Sequence, residues 1–240
     1  MRKLLLFSLL CMLLPVAAAA APEGACDGVT VGAADTAAYF PLLRGRRVAV
    51  LANQTSRVGD EHLVDLLHRS GVRLTAIFSP EHGFRGTADA GEHVASSVDE
   101  RTGVLIRSLY DGRTRRPSDE AMRSFDVLLV DMQDVGLRFY TYYISMLRMM
   151  DACADFGRAV VVLDRPNPNG SYIDGPVLDM KYKSGVGALP IPVVHGLTMG
   201  EIARMAVGEG WAKPCDLTVV PCRRYTHATR YELPVAPSPN

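Results

Sequence analysis

Glu81, His82 and Arg85 stand close together in Ser79-Pro80-Glu81-His82-Gly83-Phe84-Arg85-Gly86, directly after the apolar run Leu74–Phe78. A carboxylate, an imidazole and a guanidinium at one strand end can move protons and hold an anion in one place. Pro80 has no N–H to continue strand pairing, and Gly83 and Gly86 allow turns that a Cβ resists. A further acid, Glu92, follows on the same loop in Asp89-Ala90-Gly91-Glu92. Two carboxyl groups across a scissile bond are what glycoside hydrolysis requires: one stays protonated to assist the leaving oxygen, and the second attacks or activates water.

The other short apolar runs end in polar groups in the same way. Asn53 and Gln54 follow Arg47–Ala52; Asp131, Gln133, Asp134 and Arg138 follow Val127–Val130; Asp164, Arg165 and Asn167 follow Ala159–Leu163. In an open parallel sheet the carboxyl ends of the strands face one crevice, so these loops are expected to share a ligand site. Asp131 and Asp134 are open to two readings, contact with sugar hydroxyls or capping of the next helix. Asp164 and Arg165 are expected either to pair with each other or to touch substrate. Glu201, three residues after Thr198, has the spacing of a capping box. A metal-dependent alternative uses His82, Asp131 and Asp134, although their spacing is not diagnostic. No glycine-rich phosphate loop follows the first run, no Gly-x-Ser-x-Gly elbow occurs and no Cys-x-x-Cys pair is present. Nucleotide cofactors, serine hydrolysis and zinc ribbons thus lack support, and no cofactor is expected.

The elements that would carry these residues alternate between strand and helix. Strands are expected at 47–52, 74–78, 104–106, 127–130, 159–163 and 217–220. A helix capped by Asp60 carries Leu63, Leu66 and Leu67 to Gly71, with Asp65 and Arg69 as an i,i+4 pair. Further helices are expected to start at Pro117–Glu120, to run from Thr141 to Phe156 and to run from Met199 to about Gly208. Continuous apolar strands alternating with helical patterns give an α/β, Rossmann-like, mostly parallel sheet with helices on both faces.

With 48% hydrophobic residues the 240-residue chain can bury a large core. Lysine plus arginine and aspartate plus glutamate both number 26, with no basic block, so a nucleic-acid surface is not expected. Arg2 and Lys3 precede the apolar Leu4–Leu14 and the small residues Ala17–Ala21, the pattern of a signal peptide over 1–21. The expectation is export to the periplasm without a stable membrane anchor; the lipoprotein form is disfavoured because Glu23 precedes Cys26. An N-terminal extension over 22–43 and a catalytic domain over 44–240 complete the division. Cys153 fits an apolar helical face, and no disulfide pairing follows from the sequence.

Five motifs in order resemble the exo-β-N-acetylmuramidases: Ser79–Gly86, Asp89–Glu92, Asp131–Tyr142, Leu163–Pro168 and His195–Glu201. The resemblance covers approximately Arg44–Asn240. It implies release of terminal N-acetylmuramic acid from peptidoglycan fragments by a Rossmann-like domain whose cleft is completed by a smaller C-terminal lobe, without a cofactor. It makes Glu81 the leading catalytic carboxylate and Glu92 the second, with His82 orienting Glu81. Asn53, Gln54, Asp131, Gln133, Asp134, Tyr140, Asp164, Asn167 and His195 become substrate-binding candidates, and Arg85, Arg138 or Arg165 the partner of the lactyl carboxylate. Family members continue beyond the Pro237–Asn240 segment, so the C-terminal lobe is expected to be missing here. A second chain completing the cleft, or a non-catalytic muropeptide binder, are the corresponding alternatives.

Overall fold

The computed structural model describes residues 28–84, 96–109 and 116–237. The leader, Cys26, Arg85 and Glu92 lie outside the described residues. In chain order the elements are α1 (Thr36–Leu43), β1 (Val48–Ala52), β2 (Arg57–Val58), β3 (Glu61–His62), α2 (Leu63–Arg69), β4 (Leu74–Ser79), β5 (Ser97–Val98), β6 (Leu105–Ser108), α3 (Asp119–Arg123), β7 (Val127–Asp131), α4 (Tyr142–Phe156), β8 (Ala159–Leu163), α5 (Met199–Gly208) and β9 (Leu217–Val220). Seven strands form one sheet in the order β5-β6-β4-β1-β7-β8-β9. All pairs are parallel except β5 with β6. Taken by sequence rank, the parallel strands run 3-2-1-4-5-6, the doubly wound Rossmann order, whose switch point lies between β1 and β7.

Alternation along the central strands divides the core into two layers. Ala49, Leu51, Leu128, Val130, Val160 and Val162 face α3, α4 and α5. Val48, Val50, Ala52, Val127, Leu129, Val161 and Leu163 face α1 and α2, where Tyr39, Leu43, Leu63 and Leu67 close over them. Both faces of these strands are therefore apolar, as a parallel sheet covered on two sides demands. Among the described residues no helix is long and apolar enough to cross a membrane.

Two local expectations are revised. Asp60 does not cap α2: with Gly59 (φ 57) it turns the β2–β3 hairpin, and His62 caps instead, its Nδ1 accepting from Val64 N at 3.2 Å. Arg69 donates to Glu61 at 2.8 and 3.1 Å, whereas Asp65 accepts from Arg101 at 3.0 Å, so the i,i+4 pair is absent. The hairpin that sequence reading omitted supplies the competing acid. The Thr198–Glu201 capping box forms as expected at the start of α5.

Residues 28–35 pack against the carboxyl ends of β8 and β9. Gly32 N donates to Asp164 O at 2.8 Å, and a Cβ on Gly32 would lie 2.3 Å from Val220 O and 2.6 Å from Asp164 N. These neighbours are backbone of β8–β9 and cannot swing aside. Gly32→Ala is expected to lower stability by about 1–3 kcal/mol through overpacking, read as a lower urea midpoint at unchanged m-value.

Candidate active site

The floor of the crevice is a hydrogen-bonded lattice at the switch point. Asn53 Oδ1 accepts from Thr55 N at 3.0 Å and from Thr55 Oγ1 at 2.6 Å, and Thr55 Oγ1 accepts from Gln133 N at 2.9 Å. Ser56 Oγ donates to the Asp131 carbonyl, and Gln133 Nε2 donates to Asp134 O at 2.7 Å and Pro166 O at 2.6 Å. The loops after β1, β7 and β8 are thus laced together, as the parallel topology led one to expect.

Asp131 and Arg165 form the centre of that lattice. Arg165 Nε and Nη2 donate to the two Asp131 carboxylate oxygens at 2.5 and 2.9 Å, and Nη2 also reaches Arg57 O at 2.8 Å. The side chains are 2% and 0% exposed. The pair expected within Asp164-Arg165 does not form, because Asp164 turns to the start of α5: it accepts from Thr198 Oγ1 at 2.6 Å and Gly200 N at 2.8 Å. Asp131→Asn is expected to cost about 3–5 kcal/mol by leaving a buried guanidinium without its counter-charge, while the double change Asp131→Leu with Arg165→Met recovers most of that loss. Equilibrium urea unfolding of the three proteins checks this.

Asp134 and His195 occupy a second buried pocket of polarity. Asp134 Oδ1 accepts from Gly136 N at 2.7 Å, so this residue turns its own loop and does not cap α4. His195 Nδ1 accepts from Leu197 N at 3.2 Å, which leaves the ring proton on Nε2, 3.9 Å from Asp134 Oδ1. Asp134 Oδ2, His195 Nε2, Gln133 Oε1 and Asn53 Nδ2 are buried without a hydrogen-bond partner. Burial pushes the Asp134 carboxyl up to about 7, against the N–H groups of Gly136 and Val135, and lowers His195 to about 4. Burial also lifts Asp164 to about 6, opposed by the Thr198 hydroxyl and the N–H groups of Gly200 and Arg165.

A carboxyl whose folded value is raised from 3.8 to about 7 binds its proton more tightly in the native state. Its contribution to stability is complete below pH 4 and is lost as pH rises through 7. His195, depressed from 6.5, works in the opposite sense between about 4 and 6.5. Asp134→Asn removes only the first effect. The variant is expected to gain on the parent from about pH 4 to about pH 7 and to level off above it when urea midpoints are compared.

Glu81 and His82 lie on the rim, in the turn after β4. Thr141, the residue preceding α4, makes no side-chain cap; its hydroxyl donates instead to Glu81 Oε2 at 2.7 Å. Glu81 is half-buried and His82 buried, with left-handed backbone at His82 (φ 68) and Gly83 (φ 78) closed by Gly83 N to Pro80 O at 3.1 Å. A non-glycine residue held there carries backbone strain, which concentrates at functional sites. Thr141 is the residue that sequence reading missed. Its role depends on the β4 loop lying across the start of α4, a relation with no local signal.

The remaining candidates serve the loops. Arg138 Nη1 donates to Pro176 O and Ile191 O at 2.8 and 2.6 Å. Asn167 Nδ2 donates to Leu197 O at 2.9 Å, and its Oδ1 accepts from Asn169 N at 2.8 Å. Tyr140 packs edge-on against Tyr142 with centroids 4.9 Å apart, and Gln54 Oε1 is buried. The metal-dependent alternative finds no support from geometry: Asp131 is engaged by Arg165, and among the described residues no group of three or more His, Cys, Asp or Glu side chains is placed to hold a metal ion.

A doubly wound sheet with carboxylates and amides at its switch point and a strained Glu-His turn on the neighbouring strand defines a Rossmann-like domain built around a polar crevice. The chain belongs to the family described as exo-β-N-acetylmuramidase NamZ, N-terminal, which matches residues 48–240. It is 43% identical over 209 residues to the peptidoglycan β-N-acetylmuramidase NamZ of Bacillus subtilis (strain 168), a match covering 84% of this chain and 50% of that protein. Two crystal structures of DUF1343 family proteins from Bacteroides fragilis NCTC 9343 share the fold. One has TM-score 0.80 at 56% identity and covers 88% of this chain and 56% of the other; the second has TM-score 0.78 at 36% identity, covering 85% and 52%. The chain spans about half the length of these relatives.

Proposed function

We propose that this chain contributes the catalytic crevice of a periplasmic, exo-acting glycosidase that releases terminal N-acetylmuramic acid from peptidoglycan fragments during cell-wall turnover. The observation that carries the reading is the Glu81 carboxyl at the rim of the switch-point crevice, its Oε2 fixed by the Thr141 hydroxyl at 2.7 Å. The family to which the chain belongs, and the peptidoglycan activity named for its Bacillus relative, support the substrate class.

In this mechanism Glu81 gives its proton to the departing glycosidic oxygen as the bond to the sugar lengthens. Thr141 holds the carboxyl through Oε2. His82 holds the turn on which Glu81 stands. Glu92 is the second carboxyl of the proposal, and its separation from Glu81 sets the outcome: about 5 Å for retention, roughly 6.5–9.5 Å for inversion. Arg85, Arg138 and Arg165 are the candidates for the lactyl carboxylate; Arg165 already pairs with Asp131, and Arg138 Nη1 donates to Pro176 O and Ile191 O.

The test is release of chromophore from a chromogenic N-acetylmuraminide by the protein and by Glu81→Gln. The parent is expected to turn over, and the variant to fall by about 10²–10⁴-fold with an unchanged far-UV spectrum. Equal rates in both would remove Glu81 as the acid. Saturable sugar binding without turnover by the parent would make the protein a binder.

A further inference from the structure

Two cysteines from distant parts of the chain line one cavity on the α4–α5 side of the sheet, away from the crevice. Cys153 sits near the end of α4 with no exposed surface, and the helix stops four residues later at Gly157, φ 60. Cys215 is half-buried just ahead of β9. Alternation along 215, 217 and 219 puts Cys215, Leu217 and Val219 on one face, packed against the apolar cluster that contains Cys153. The supporting backbone is fixed on both sides: Arg158 N donates to Cys153 O at 2.8 Å, and Val160 N donates to Asp216 O at 2.8 Å.

Both cysteines line a single cavity of about 320 Å³ with Gly157, Arg158 and Pro214. Burial raises the Cys153 thiol, and Cys215 adds to that rise. Neither is bridged. Cys222 stands elsewhere, beyond β9, its Sγ donating to Asp164 O at 3.2 Å.

We propose that Cys153 and Cys215 are a disulfide-forming pair that staples the end of α4 to the entry of β9. The bond joins positions 62 residues apart, and the loop it closes contains α5 and the segment that carries His195 and Thr198 to the crevice. Closing so long a loop removes conformational freedom chiefly from the unfolded chain. The oxidant is a low-molecular-weight or protein disulfide. The Cys215 thiolate attacks it, expelling one thiol and forming a mixed disulfide; the Cys153 thiolate then attacks the Cys215 sulfur and expels the second. Two thiols lose two protons and two electrons, and one disulfide of the oxidant becomes two thiols. Because Cys153 is buried and both thiols are raised, exchange takes place on the folding or opened chain.

The experiment refolds the 240-residue protein from denaturant in a buffer of oxidised and reduced glutathione, and in parallel with reductant alone. Samples are quenched in acid, unfolded, alkylated and mapped by mass spectrometry. A peptide linking Cys153 to Cys215 is expected after oxidative refolding, together with a melting temperature roughly 5–10 °C above that of the reduced protein. Cys215→Ser is expected to lose both, and Cys222→Ser to keep both. Alkylation of Cys153 and Cys215 in the oxidised sample overturns the proposal, as does capture of either by glutathione or by another cysteine. A 153–215 link that lowers the melting temperature overturns it too, because the native fold would then be distorted by the bond.

Discussion

The site rests on a buried ion pair. With Asp131 closed to solvent and Arg165 nearly so, each charge has exchanged water for the other, and the two-oxygen geometry offsets a desolvation cost that a looser contact would not. The pair does more than neutralise. Arg165 extends from β8 to the backbone of Arg57, and the Asp131 carbonyl takes the Ser56 hydroxyl, so one interaction sets the relative heights of three loops. A parallel sheet aligns strand ends but does not dictate where the following loops settle. Here electrostatics selects one arrangement, because any other leaves a charge stranded in the core.

Around that centre the polar groups separate by depth. Asn53, Thr55, Gln133 and Asp164 saturate much of their bonding with neighbouring backbone and side chains, which makes the floor stiff. Glu81 lies outside this lattice, its Oε2 accepting from the Thr141 hydroxyl at the start of α4. Under the proposed function, the rigid floor keeps its shape while the rim that carries Glu81 meets the sugar. The raised Asp134 and Asp164 carboxyls belong to the floor and report on its dryness.

Much of the sheet was legible because central strands such as Val127–Val130 and Ala159–Leu163 are continuously apolar, a pattern that a doubly covered parallel sheet requires and few other settings tolerate. The grouping of strand-end residues followed from topology. What escaped was partner choice. Asp131, not Asp164, neutralises Arg165; Glu61, not Asp65, meets Arg69; and Thr141 leaves its helix for Glu81. Each depends on how loops distant in sequence lie against one another, so adjacency along the chain misleads. The β2–β3 hairpin was missed for a related reason, since two-residue strands carry no periodicity. The Thr198–Glu201 box, by contrast, was readable because both partners belong to one helical turn.

Gly136 has φ 77, and the place its Cβ would take is filled by the Asn167 amide at 2.4–2.8 Å. The loops after β7 and β8 therefore fit as tongue and groove, with the missing side chain of one making room for the side chain of the other. Neither loop can be lengthened, shortened or recruited from another protein by itself. Change in this part of the crevice has to come in matched steps, because the two loops share one packed volume.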